Sequence, residues 1–166
     1  MEDYKIIDFN QSDKSISIEQ LKSIYLKLFN NPKNIKYLSF TSIPFTDDLV
    51  NNFITSASES GISYILAIDN NDIVGIAIIK QFIIEGFEIL GLCVQPEYQR
   101  KGIGEQLIKY SENKAKINEY KSIKVSVFTD NKKMLRLLLK LDYIPTKIYY
   151  KMRYDGMDVL ELIKYL

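Results

Sequence analysis

The chain has no histidine among its 166 residues and only one cysteine, Cys93. Those two shortages remove whole classes of chemistry. A serine or cysteine nucleophile activated by histidine is excluded, and a single cysteine forms no disulfide within the chain. No metal is expected either, because imidazole and thiolate are the usual ligands of a tight transition-metal site. No apolar run approaches the roughly 18 residues of a membrane span, so no membrane partner is expected. The opening Met1-Glu2-Asp3-Tyr4-Lys5 is acidic and lacks the basic-then-apolar layout of a signal peptide, which makes a cytoplasmic location the expectation. Excess charge of one sign is missing as well. With 22 Lys and Arg against 21 Asp and Glu the net charge is +1, which argues against a general nucleic-acid binder.

What is present is an ordinary globular composition, 46% apolar and 26% charged, enough to bury a core in one domain over residues 1–166. A short strand is expected at 4–9. Apolar residues at Ile18, Leu21, Ile24, Tyr25 and Leu28 follow a helical period, so 15–29 reads as a helix that Asn30-Asn31-Pro32 stops. A second helix is expected over 45–60, with Thr46 as N-cap, Asp47 and Asp48 in its first turn and Gly61 after its end. Three strands then follow through short turns, at 63–68, 73–82 and 87–94, with turns at 69–72 and around Glu85-Gly86. They suggest an antiparallel meander. A helix to residue 119 turns Leu107, Ile108, Ala115 and Ile117 inward. A half-buried strand at 122–128 comes next, then a short helix capped by Asp130 or Asn131. A strand at 143–154, a tight turn at Asp155-Gly156 and a returning strand at 158–165 complete the chain. The expected architecture is α/β (α+β), a mixed, mostly antiparallel sheet of six to seven strands with about four helices.

The stretch from Leu90 to Ala115 carries the chemistry. An apolar strand breaks at Pro96, and Gln99-Arg100-Lys101-Gly102-Ile103-Gly104 leads into an amphipathic helix. Two glycines and two cations at a helix N-terminus suit an anion, because free N–H groups converge there and the helix dipole adds about half a positive charge. The loop lacks the Gly-Lys-Ser/Thr ending of a P-loop and the third glycine of a dinucleotide fingerprint.

This loop resembles the signature of the GNAT superfamily of N-acetyltransferases, Q/R-x-x-G-x-G/A after a strand. The lead-in Val94-Gln95-Pro96-Glu97-Tyr98 is similar to the family's, and residues 131–143 resemble the family segment N-x-x-A-x-x-x-Y-x-K-x-G-F. The resemblance implies a GNAT-like fold that uses acetyl-CoA as co-substrate and an amine as acceptor. Backbone groups from Gln99, Arg100, Lys101, Gly102, Ile103 and Gly104 would hold the pyrophosphate. By the same resemblance, the strand ending at Val94 splays from the one ending at Phe128. The main chain at Leu92 and Val94 would then take the pantetheine arm, and the Asn131 amide would reach it too. A homodimer is compatible with the resemblance.

Attack of an amine on a thioester needs a proton acceptor and a way to return a proton to the thiolate. Glu88, on the strand feeding the loop, is the best base, where several members of the family carry a glutamate. A solvent-facing or cation-binding role is the competing reading, and Glu85 is a weaker second choice. The acid is where the sequence departs from the pattern. The family tyrosine falls on Leu138, the family alanine on Met134 and the family glycine on Asp142. Tyr143, Tyr149, Tyr150 and Tyr154 are available substitutes. Cys93, in an apolar strand with no histidine to activate it, reads as a structural thiol. Two functions follow. One is acetyl transfer to a primary amine. The other is a catalytically weakened acyl-CoA-binding regulatory module, which Leu138 favours.

Overall fold

The computed structural model describes residues 4–9, 16–82 and 86–166, and among them seven strands form a single sheet. β1 (Lys5–Asp8), β2 (Ile62–Asp69), β3 (Asp72–Phe82) and β4 (Gly86–Val94) pair antiparallel in chain order. β5 (Ser122–Phe128) joins β4 in parallel after a helical crossover, and β6 (Ile144–Tyr149) and β7 (Val159–Tyr165) complete the sheet as β5-β7-β6. Asn70 and Asn71 turn β2 into β3 with φ of +46° and +73°, the left-handed region that asparagine tolerates best after glycine. The turn expected around Glu85 lies outside the described residues.

Among the described residues four α-helices cover the sheet. α1 (Ile18–Phe29) starts in a capping box, where Gln20 N–H donates to the Ser17 hydroxyl and Ser17 N–H donates to the Gln20 side chain. α2 (Asp47–Thr55) is capped by Thr46 as expected, but ends five residues short of Ser60. α3 (Ile103–Ile117) is the crossover between β4 and β5, and α4 (Lys132–Lys140) follows β5. On one face, α3 and α4 cover a core that includes Ile65, Val74, Phe87, Ile89, Val125 and Leu138. On the other, α1 and α2 cover Tyr64, Leu66, Ile76, Ile78 and Cys93. Ile117, expected inward, is the last residue of α3 and is 73% exposed.

The C-terminal turn departs from expectation. Gly156 does adopt φ of +84°, yet the strand before it stops at Tyr149 and the reversal takes residues 150–158. The reason is Arg153, 4% exposed, which leaves the sheet and turns inward between Asp130 and Asp155. Asn131, not Asp130, caps α4, its side-chain oxygen accepting from Met134 N–H at 3.2 Å.

Asp142 explains why the family pattern has glycine there. It sits just past the end of α4 at φ +65°, a backbone state that costs an L-residue with a Cβ. Asp142→Gly is therefore expected to raise stability by roughly 0.5–1 kcal/mol, net of the added freedom of the unfolded chain. Chemical denaturation of the two proteins checks this through a shift in midpoint at unchanged slope.

Candidate active site

The parallel pairing of β4 and β5 lasts three residue pairs, Phe87 with Ile123, Glu88 with Lys124 and Ile89 with Val125. It stops where β4 bulges. Against β3, Ile79 faces Ile89 but Ile78 faces Gly91, so Leu90 is the extra residue. Past the bulge the two strands part and leave a cleft. The direction of the backbone groups along it follows from strand alternation. Gln95 N–H donates to Val74 O of β3, so the N–H and C=O of Val94 and Leu92 point the other way, into the cleft. Both residues assigned to the pantetheine arm thus present their main chain there. Val94 O already accepts from the Gln99 side chain at 3.2 Å, which seats the loop against the strand.

At the top of the cleft a single 3-10 turn, Pro96–Tyr98, leads into the loop. Arg100 takes φ +65°, and Gly102, the N-cap of α3, takes φ +86° with no side chain capping the helix. The N–H groups of Ile103, Gly104 and Glu105 therefore have no intrahelical acceptor and no capping side chain. A Cβ placed on Gly102 would meet nothing within 4 Å, so the loop faces open space. Gly104 serves a different purpose. Its missing Cβ would point at Leu137 and Leu92, 3.5 and 3.7 Å away, so it lets the helix lie close to α4 and β4. Ile103 is 1% exposed and anchors the turn in the core, leaving only its backbone for a ligand. Arg100 and Lys101 are exposed, and the Lys101 ammonium lies 5.1 Å from the Tyr98 ring centroid.

A carboxylate in the first turn of this helix would repel an anion, and Glu105 is one. Lys109 and Lys140 neutralise it, at 2.8 and 2.7 Å, and hold its pKa down to about 2 through hydrogen bonds first and charge second. The positive end of the helix stays positive.

Glu88 lies on the face of the sheet away from α3, with Lys124 and Ser126 of β5 beside it. Ser126 Oγ donates to one carboxylate oxygen at 3.3 Å, and Lys124 Nζ is 3.9 Å from the other. Across β5, Glu161 pairs in register with Ser126, and its two oxygens accept from Thr146 and Tyr149 hydroxyls at 3.1 and 3.2 Å. Sequence reading missed Lys124, Ser126 and Glu161. The signal was there in the alternation of β5, whose even positions oppose its apolar Ile123, Val125 and Val127.

Asn131 stands at the end of β5 next to the cleft. Its oxygen is engaged as the α4 cap, which leaves its NH2 group for another acceptor. The four tyrosines do not converge. Tyr143 is 2% exposed on the α3–α4 side, where burial raises its pKa. Tyr149 donates to Glu161, and Tyr150 and Tyr154 are 70% and 71% exposed. Leu138 is fully buried in the core.

Residues 19–143 match the Acetyltransferase (GNAT) family. The chain belongs to that family. Its fold is that of solved acetyltransferases. An N-acetyltransferase from Staphylococcus aureus Mu50 superposes with a TM-score of 0.77 at 17% identity, over 99% of both chains. A GNAT superfamily phosphinothricin acetyltransferase from Sinorhizobium meliloti, solved in complex with AcCoA, gives 0.78 at 14%, over 98% of this chain and 88% of that one. The yncA protein from Salmonella typhimurium, solved with its cofactor acetyl-CoA, gives 0.78 at 15%, over 99% and 95%. No curated protein sequence matches the chain. The GNAT signature thus maps onto a strand, a bulge, an uncapped helix start and a cleft, and the enzyme class is acyltransferase.

Cys93 takes no part in this arrangement. It is buried against the α1–α2 core, and burial pushes its thiol up to about 12. A disulfide reagent at pH 8 is expected to leave the folded protein unlabelled and to titrate one thiol after unfolding. Rapid labelling of the native protein would contradict that burial.

Proposed function

We propose that the protein transfers an acetyl group from acetyl-CoA to a primary amine by direct attack, with no covalent enzyme intermediate. The observation that carries this reading is the cleft between β4 and β5. One end meets the uncapped N-terminus of α3, and the opposite face of the sheet offers Glu88. The free N–H groups at Ile103 and Gly104, with the loop from Gln99, suit the pyrophosphate, and Arg100 and Lys101 add cationic attraction. The main chain of Leu92 and Val94, with the Asn131 amide, suits the amides of the pantetheine arm. Backbone N–H groups facing the cleft also suit negative charge developing on a thioester oxygen.

Acetyl-CoA supplies an activated thioester, and the residues of this chain handle the proton. The amine arrives as an ammonium ion and must lose a proton before its nitrogen can bond the carbonyl carbon. Glu88 accepts that proton, directly or through one water, while Ser126 and Lys124 fix the orientation of its carboxylate. The carbon–sulfur bond then breaks and the thiolate leaves. With Leu138 buried in the core, the chain's own counterpart of the family tyrosine donates nothing. A thiolate is a stable leaving group near neutral pH. The nitrogen sheds its second proton to water as the amide forms, and the thiolate takes one proton back from water.

Leu138 also supports a second reading, an acyl-CoA-binding module that no longer turns over. One set of measurements separates the two. For the enzyme, an amine panel followed by thiol release gives turnover, and Glu88→Gln lowers kcat/KM by about 10²–10⁴-fold with acetyl-CoA affinity unchanged. Its pH profile loses the acidic limb, because glutamine cannot be protonated out of action. The module predicts acetyl-CoA binding without transfer to any amine and no effect of Glu88→Gln. Gly102→Glu is expected to weaken acetyl-CoA binding at least about tenfold, since its carboxylate would sit where the phosphate is to be held. Unchanged calorimetric affinity in that variant would remove the cradle from either reading.

A further inference from the structure

The side of the cleft that faces α1 and α2 is bridged by a short strap, residues 35–40, between α1 and α2. The strap runs from one cleft strand to the other. At its middle, Leu38 Cδ2 lies 3.7 Å from where a Cβ on Gly91 of β4 would be. At its end, the Phe40 ring meets the ring of Phe128, the last residue of β5, edge to face at 5.5 Å. Its flanks are pinned to α1, where the Asn34 amide donates to Leu28 O and the Asn30 side chain bonds both backbone groups of Phe45.

What holds the middle comes from the far end of the chain. Arg153 Nη1 donates to Lys36 O at 2.8 Å, and the next residue, Tyr154, donates its N–H to Phe40 O at 2.9 Å. The other guanidinium donors go to Asp130 at 2.9 and 3.2 Å and to Asp155 at 2.8 and 2.9 Å, so all five N–H groups are satisfied. Its flat face lies over the Phe128 ring at 5.0 Å. A surface ion pair needs neither this burial nor a backbone carbonyl 117 residues away.

The phosphate loop opens beside α3, on one face of the sheet, while Glu88 and Ser126 lie on the other. The amine must therefore come in from the strap side. Resting on the acetyltransferase reading above, we propose that Arg153 is a positioning residue for the acceptor. It fixes the strap as one wall of the amine's approach to Glu88, and it does so without contributing to acetyl-CoA binding.

The test compares wild type, Arg153→Met, Arg153→Lys and Asp155→Asn in the full chain. Acceptor kinetics are measured at saturating acetyl-CoA, and acetyl-CoA affinity is measured separately by calorimetry. In Arg153→Met the acceptor KM is expected to rise about tenfold or more, while kcat and acetyl-CoA affinity stay within about twofold. Arg153→Lys is expected to behave like Arg153→Met, because one ammonium cannot fill two carboxylates and a carbonyl in the guanidinium's plane. Asp155→Asn, at a side chain 41% exposed, leaves the Asp130 pair in place and keeps the test alive if the arginine variants do not fold. Its acceptor KM should rise about threefold. Unchanged acceptor KM in the variants that fold, or acetyl-CoA affinity falling in step with it, overturns the proposal. Should the wild type acetylate no amine, the function above has failed and the strap is read by hydrogen exchange in Asp155→Asn with acetyl-CoA present. Faster exchange at 36–40 with unchanged exchange at 103–107 supports Arg153 as the residue that fixes the strap, and equal change in both segments overturns it.

Discussion

The bulge at Leu90 is the constraint on which the rest of the site depends. A parallel pair of strands normally continues as long as both backbones keep their register, because every unpaired N–H and C=O in a sheet interior is costly. Here β3 holds β4 through Gly75 with Val94, so β4 cannot drift from its antiparallel neighbour. The extra residue turns β4 away from β5 after Ile89, and the two rows of backbone groups that would have met are left facing a gap. One is filled internally, Val94 O by Gln99. Under the proposed function, the remaining main chain of Leu92 and Val94 suits a ligand with amides of its own. β4 ends at Val94, and the 3-10 turn Pro96–Tyr98 and the loop lead from it into α3, so the helix N-terminus follows directly on the strand that borders the gap.

Electrostatics follow from that geometry. The uncapped start of α3 keeps its donors open, and the one acidic side chain in its first turn is held ionised but neutralised by two lysines. Charge on the opposite face is arranged differently. Glu88 has one lysine at 3.9 Å and one hydroxyl, a looser pairing than the two-lysine clamp on Glu105. A carboxylate clamped by two close cations is a poor proton acceptor, since hydrogen bonds and charge both favour its ionised form. The contrast between the two glutamates separates a structural role from the proposed catalytic one.

Much of this was legible in the chain. Residue periodicity gave β2 to β5 to within a residue or two, and Ser17, Thr46 and Asn131 mark helix starts because their side chains satisfy the first free N–H groups. The glycine-bearing loop at the start of α3 was legible because glycine, cation and helix must coincide in sequence to coincide in space. The neighbours of Glu88 were not named, although alternation on β5 places Lys124 and Ser126 together, because the parallel register of β4 on β5 cannot be read from either strand alone. Arg153 was invisible for a stronger reason. An Asp-Gly pair two residues on looks like a hairpin turn, and partners far off in sequence, Asp130 and the Lys36 carbonyl, draw the arginine inward and lengthen the connection.

Two of the three departures from the family pattern, Leu138 and Asp142, make physical sense together. α4 is short and carries Leu138 toward the core, where a tyrosine hydroxyl would need a partner, and Asp142 keeps the left-handed turn that glycine usually supplies. Both changes concern how α4 ends and packs. Neither alters its start, where Asn131 caps the helix beside the cleft and Asp130 holds Arg153. The N-terminal end of α4 is therefore tied to both the cleft and the strap, while its C-terminal end packs on the core and reaches α3 through Lys140 and Glu105.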